Sequence, residues 1–412
     1  MDDLKTIVEL SHEFGTTDYV KGGGGNTSFK NETTLWVKPS GTTLGGLSEE
    51  TFVTLNRARV NELFDVAPPK DSAAREELVK NFMAEAVENE AGRPSVEAPL
   101  HNILNTRFVV HTHPFVVNGL TCAVDGESVA KQMFPDALWV EYIDAGYTLS
   151  VELKGRIEQY TLEHGKGPEV ILLKNHGIFV AADSAEEIRH LYAGVMEVLR
   201  LEYEKAGITA TLEIADAEPA PQAEEQIRQL FGDDAQHVVS CGTFTCVPGP
   251  ITPDHLVYAR AFPFTDELTE EAAAKYKTQH GFAPKVVVAA NRVFGIGTTR
   301  NNAELALELA QDGAQVMQLA EAFGGLARAT FVEALKAEGI PCQLGYLRPM
   351  HHADLFADKD GELSRVWPRV GEKPATQYST VDCPHAERAC ADEMITLPTN
   401  VLLDSTEGME QI

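Results

Sequence analysis

Cysteine is scarce: Cys122, Cys241, Cys246, Cys342, Cys383 and Cys390 are the six present in 412 residues, and no two form a CxxC pair. That argues against a disulfide framework or a cysteine-built zinc site and fits a reduced, cytoplasmic setting. Positive charge is also in deficit. With 34 basic against 62 acidic side chains the net charge is −28, a field that repels phosphate backbones and anionic headgroups. Nucleic acid and membrane surfaces are therefore not expected as partners. An anionic small substrate is still allowed, because backbone N–H groups, a lysine or a metal can supply local positive potential. No apolar run approaches the roughly 20 residues that span a bilayer. Residues 1–10, with Asp2, Asp3 and Glu9, lack the basic start and apolar core of a secretory signal. GxGxxG and GxxxxGK[ST] are both missing, as is any repeat period, so neither nucleotide fold nor a solenoid is supported.

What is present is a soluble globular profile, 43% hydrophobic and 23% charged, with length for two or three domains. Up to about residue 210 the chain alternates strand-like and helix-like stretches, which predicts a layered α/β domain. Strands are expected at 52–60, 108–114 and 170–173, and a helix at 71–90. A long helix starts at Ser184, which forms a capping box with Glu187, and stops near Gly207. Residues 213–222 read as a linker and 224–231 as a helix. Residues 247–253, with three prolines, cannot be regular. A strand at 285–289, a turn holding Gly295 and Gly297, and a helix at 302–323 follow. A small α/β module closes the chain, with a helix through Leu335, a short helix at 384–394 and a strand at 395–398. The expected division is 1–212, 213–325 and 326–412.

The most informative stretch is Arg107-Phe108-Val109-Val110-His111-Thr112-His113-Pro114. In a strand, residues two apart share a face, so His111 and His113 present both imidazoles to one side, with Phe108 and Val110 on the other. His176 stands just past another apolar strand, before Gly177, which permits a sharp turn. Three nitrogens and one open position are the pattern of catalytic zinc; an HxH pair alone also reads as a polar strand face. Ser95 is a candidate N-cap that puts Glu97 in a first helical turn, either as a helix-start glutamate or as a metal-adjacent base. His101, one turn later, reads as structural. Near the start, Lys21-Gly22-Gly23-Gly24-Gly25-Asn26-Thr27-Ser28 could crowd N–H groups around an oxyanion or form a hairpin tip.

In this order, Gly25-Asn26-Thr27-Ser28, Lys38-Pro39-Ser40-Gly41, Ser95-Val96-Glu97, His111-Thr112-His113-Pro114 and Asn175-His176-Gly177 resemble the class II aldolase/adducin family. The variants KGGGGNTS, WVKPSGT and VVHTHP, with the later Gly249-Pro250-Ile251-Thr252-Pro253-Asp254-His255, are most similar to the aldolase part of rhamnulose-1-phosphate aldolase/dehydrogenase proteins. The dehydrogenase half of those proteins has no counterpart here. The resemblance implies a central β-sheet flanked by helices, with C-terminal α/β extensions. It implies that His111, His113 and His176 hold a divalent metal, zinc first, with manganese or cobalt as alternatives. Glu97 would exchange the proton at C3 of a ketose phosphate, and Gly25, Asn26, Ser40, Gly41 and Ser95 would line a phosphate site. Val96 stands where small aldolases of the family tend to carry a second serine, which removes one phosphate donor. The family's aldehyde-protonating tyrosine is not placed by motif; Tyr142 and Tyr147 are the candidates. The resemblance also implies a homo-oligomer, in the family a tetramer.

From Ala329 onward, Gly345-Tyr346-Leu347-Arg348-Pro349, Cys383-Pro384-His385-Ala386-Glu387 and Leu397-Pro398-Thr399-Asn400 resemble the C-terminal segment of DegT-type sugar aminotransferases. The domain that would hold pyridoxal phosphate is missing, so an accessory module without transamination is expected. The activity implied overall is a lyase: metal-dependent retro-aldol cleavage of a ketose 1-phosphate to dihydroxyacetone phosphate and an aldehyde. Two alternatives stand beside it, a sugar-phosphate epimerase or dehydratase on the same fold, and a non-catalytic adducin-like scaffold. Glu97 argues against the epimerases, which resemble this pattern with aspartate there; the three histidines argue against the scaffold.

Overall fold

The computed structural model describes residues 2–66, 69, 72–143, 147–260, 262–327, 343–344 and 395–396. The chain divides into two compact units, Met1–Leu326 and Ala327–Ile412. In the second, Gln343–Leu344 pairs antiparallel with Ile395–Thr396. The rest of the expected C-terminal module, including the helices through Leu335 and at 384–394, lies outside the described residues.

The first unit is a mixed α/β structure built on a seven-stranded sheet. Its strands are β1 (Asn26–Lys30), β2 (Thr34–Val37), β3 (Val53–Asn56), β4 (Phe108–Thr112), β5 (Leu138–Val140), β6 (Val170–Leu173) and β7 (Gly177–Ala182), in the order β3-β2-β1-β4-β7-β6-β5. All neighbours are antiparallel except β5 and β6. β4, β6 and β7 are buried along their whole length because helices cover both faces of the sheet. On one face Phe108, Val110, Ile178 and Val180 meet Ile7 and Leu10 of the helix Asp2–Glu13, Phe14 just after it, and Ile188, Tyr192 and Leu199 of the helix Ala185–Lys205. On the other, Val109, Ile171, Leu173 and Phe179 meet Leu100 and the Leu149, Leu153 and Ile157 stripe of the helix Tyr147–His164.

A second sheet, β8 (His237–Cys241), β9 (Val286–Ala289) and β10 (Arg292–Gly297), is antiparallel in the order β8-β10-β9. The helix Arg300–Ala320 packs Leu309 and Ala314 on this sheet through Val286 and Val293. Its far end carries Leu319 and Ala320 into the core of the first sheet. Burying one leucine side chain contributes about 1.5–3 kcal/mol, so this helix ties the extension to the first sheet.

Several local expectations are corrected. The predicted strand at 52–60 ends at Asn56, whose side chain accepts a hydrogen bond from the Arg59 N–H and starts the helix Arg57–Glu62. The predicted helix at 71–90 is Ser72–Ala86. Gly295 and Gly297 lie inside β10 rather than in a turn. A Cβ on Gly295 would stand 2.1 Å from the Ala303 carbonyl oxygen, so this glycine serves close helix-on-strand packing. Ser184 caps the helix Ala185–Lys205 as expected, its hydroxyl accepting from the Glu187 N–H at 3.3 Å, while the Glu187 carboxylate accepts from that hydroxyl rather than from the Ser184 N–H.

Candidate metal and proton-transfer site

β4 brings His111 to the centre of the sheet, and His113 follows one residue beyond the strand end. His176 sits in the short turn between β6 and β7, the pair that flanks β4 through β7. The side-chain nitrogens of the three histidines lie within 4.8 Å of one another, and all three residues are buried. His111 Nε2 is 3.0 Å from His113 Nε2 and 3.4 Å from His176 Nε2.

Each ring's remaining contacts decide which nitrogen faces the others. His111 Nδ1 lies 2.9 Å from the Ile178 carbonyl oxygen, which can only accept, so Nδ1 carries the proton and Nε2 presents its lone pair. The ring is stacked on Phe179, with centroids 3.9 Å apart. His113 Nδ1 lies 2.6 Å from Asp254 Oδ2, again leaving Nε2 turned inward. Convergent imidazole nitrogens, with His111 and His113 each fixed through the other ring nitrogen, form a donor set that suits a borderline dication such as zinc.

Glu97 occupies the cap position of the helix Ala98–Ile103, yet its carboxylate caps no N–H group. Ser95 is not the cap; its hydroxyl accepts from the Glu97 N–H at 3.2 Å, and the turn aims the acid at the histidines. Glu97 Oε1 is 3.2 Å from His111 Nε2 and 3.5 Å from His176 Nε2. Burial by itself would raise the Glu97 carboxyl, but His111 and His176 outweigh it and hold the group well below the usual carboxylate range. Burial, opposed by Glu97, lowers His176 to about 4, which keeps that imidazole neutral at physiological pH. Burial also pulls on His113, yet Asp254 prevails and raises it.

The expected phosphate residues fall into two groups. Asn26 pairs with His111 across β1 and β4, next to Gly25, and both polar atoms of its buried side chain lack a hydrogen-bond partner among the described residues. Ser40 and Gly41 are exposed, and Ser95 is buried. The Ser40 N–H donates to the Arg93 carbonyl and the Ser95 N–H to that of Lys38, which sets Ser40 beside the segment leading to Glu97. His101 is buried, with Nδ1 2.7 Å from the Ser28 hydroxyl, a structural contact as expected. Tyr142 is exposed beyond β5, and the side chain of Tyr147 lies outside the described residues.

Two residues had no assigned role in the sequence. Lys38 is buried, donates to the Gly23 carbonyl at 3.1 Å, and feels both Glu97 and Asp254; burial lowers its ammonium below the usual value against their pull. Asp254 stands at the N-terminal cap of the π-helical turn His255–Ala259, far along the chain from His113. Nothing in the spacing of either motif pairs them.

Residues 5–203 match the family described as Class II Aldolase and Adducin N-terminal domain. A Bacillus subtilis protein described as an uncharacterized oxidoreductase, YuxG, is 28% identical over 176 residues, which cover 40% of this chain and 24% of that protein. This chain thus spans about a quarter of that relative's length. An L-fuculose phosphate aldolase of Methanococcus maripaludis is 23% identical over 213 residues, 49% of this chain and 96% of the relative. Among solved structures, the N-terminal class II aldolase domain of a conserved protein from Thermoplasma acidophilum is 23% identical, covers 48% of this chain and 92% of its own, and superposes with a TM-score of 0.42. Among the described residues no helix is long and apolar enough to cross a membrane. The segment that matches the class II aldolase/adducin N-terminal domain, residues 5–203, carries the three histidines and Glu97.

Proposed function

We propose that this protein is a metal-dependent aldolase that cleaves the C3–C4 bond of a phosphorylated ketose, releasing dihydroxyacetone phosphate and an aldehyde. The observation that carries the reading is Glu97: a carboxylate oxygen placed within 3.5 Å of two of three convergent histidine nitrogens, on a side chain that makes no cap. His111, His113 and His176 would hold the dication, zinc first. When bound, it would supply Lewis-acid stabilisation for the negative charge that bond cleavage leaves on the enediolate.

The chain's own groups account for the protons. Cleavage removes one hydroxyl proton at C4 and requires one proton at C3, so the products together are isomeric with the substrate. Glu97, ionised and close to the triad, would take up the proton that the C4 hydroxyl releases and deliver it to C3 in cleavage, and would remove the C3 proton in the reverse direction. The unpartnered amide of Asn26 and the backbone at Gly25 would meet the substrate beside His111, with Ser40, Gly41 and Ser95 on the Glu97 side. Lys38 supplies positive potential among the carboxylates of a strongly acidic protein. The name of the Methanococcus relative supports a sugar-phosphate substrate. The C-terminal resemblance to aminotransferases is kept as a proposal for an accessory module, and the homo-oligomer as a proposal that sizing in solution checks.

The test is a screen of ketose 1-phosphates for release of dihydroxyacetone phosphate, before and after chelation. Release that stops on chelation and returns with zinc supports the reading. Turnover unaffected by complete metal removal rules it out.

A further inference from the structure

Asp254 lies outside the segment that matches the aldolase/adducin family, yet it reaches the triad. Its Oδ2 is 2.6 Å from His113 Nδ1, and both side chains are largely buried. The segment that carries Asp254 is held from two directions. On one side the Asn175 side chain, next to His176, donates to the Ile251 carbonyl at 3.1 Å. On the other, Thr252 and His255 share a 2.7 Å hydrogen bond, His255 Nε2 lies 3.3 Å from Asp312 Oδ2, and Asp312 Oδ1 faces Lys21 Nζ at 3.4 Å. Asp312 belongs to the helix Arg300–Ala320 and Lys21 opens the glycine run, so the extension grips the loop that borders the site. A Cβ on Gly24 would stand 2.5 Å from Asp254 Oδ2, which shows how closely that loop is fitted around the carboxylate.

We propose that Asp254 is a positioning residue supplied by the extension, which fixes the His113 ring with Nε2 turned toward His111 and His176. The metal site is then completed by residues beyond the aldolase/adducin segment, and the unit that binds metal is Met1–Leu326. An acceptor-only carboxylate on Nδ1 selects the tautomer whose other nitrogen is free to ligate, and such partners typically set metal affinity by about 10–100-fold. The inference rests on the metal-site reading above.

The test uses the full chain and zinc ion alone, titrated against a chromophoric chelator. Asp254→Asn keeps the shape and removes the charge; it is expected to bind zinc about 10–100-fold more weakly, with the unfolding midpoint in chelator unchanged. Affinity within threefold of the parent overturns the proposal while leaving the metal site standing. No zinc binding by the parent overturns both readings. Should the variant fail to fold, nitrogen NMR of the zinc-loaded parent decides: His113 protonated at Nδ1 with a strongly deshielded proton supports the proposal, and His113 protonated at Nε2 overturns it.

Discussion

Glu97 Oε1 stands 3.2 Å from His111 Nε2, and the same oxygen is 3.5 Å from His176 Nε2. A carboxylate that close to two imidazoles stays ionised despite burial, which is the state the proposed base role requires. Glu97→Gln keeps the size and the contact but abolishes proton transfer. We expect zinc content to be retained and deuterium exchange at C3 of dihydroxyacetone phosphate, followed by NMR, to fall by about 10²–10⁴-fold. Exchange at the parental rate would remove Glu97 from its assigned role.

The three histidines are held by different neighbours. His111 is fixed by a backbone carbonyl and a stacked ring, and His113 by a side chain. His111→Ala should cost both zinc stoichiometry, measured by elemental analysis, and activity, since it also opens a cavity against Phe179. Stoichiometric zinc in that variant would mean that the metal lies elsewhere.

Lys30 tests the fold independently of the site. It is buried at the end of β1 with no hydrogen-bond partner among the described residues, and burial, aided by Arg57 and opposed by Asp183, lowers it to about 7. Between that value and its ordinary 10.5 the unfolded chain binds a proton that the folded chain does not. Stability therefore rises with pH across this window, and the penalty is complete below it. Lys30→Met is expected to stabilise by a few kcal/mol near pH 7 and by progressively less toward about pH 10. Urea unfolding at several pH values gives the answer; a gain that does not change with pH contradicts the assignment.

Gly295 and Gly194 separate packing from conformational entropy. Gly295→Ala drives a methyl into the Ala303 carbonyl and should cost at least about 2 kcal/mol. Gly194 is exposed in the helix Ala185–Lys205, where an added methyl would meet nothing within 4 Å, and Gly194→Ala should stabilise by roughly 0.5–1 kcal/mol. Equal effects in denaturant melts would contradict the close approach of helix and strand.

The sequence showed the parts of this protein whose signals are local. The alternation around His111 and His113 put both rings on one side, the Ser184 and Glu187 spacing marked a helix start, and Val170–Leu173 read as an apolar strand. β1 was hidden because Asn26, Thr27, Ser28 and Lys30 are polar residues buried under tertiary contacts, so no hydrophobic period marks them. Gly295 and Gly297 looked like a turn because sequence cannot distinguish a glycine that bends the chain from one that admits a helix backbone. Asp254 was illegible for a different reason. Its partner is 141 residues away, and no periodicity spans that interval.

That separation also orders events in time. Chains leave the ribosome N-terminal end first, and closing a long loop waits on the ordering of what lies between its ends. A nascent chain that has released all three histidines still lacks the carboxylate for His113, and must then lay down the helix that carries Asp312. If the histidines hold a metal as proposed, tight capture of the ion would then be a late step in biogenesis, and a half-made polypeptide would be a poor competitor for it.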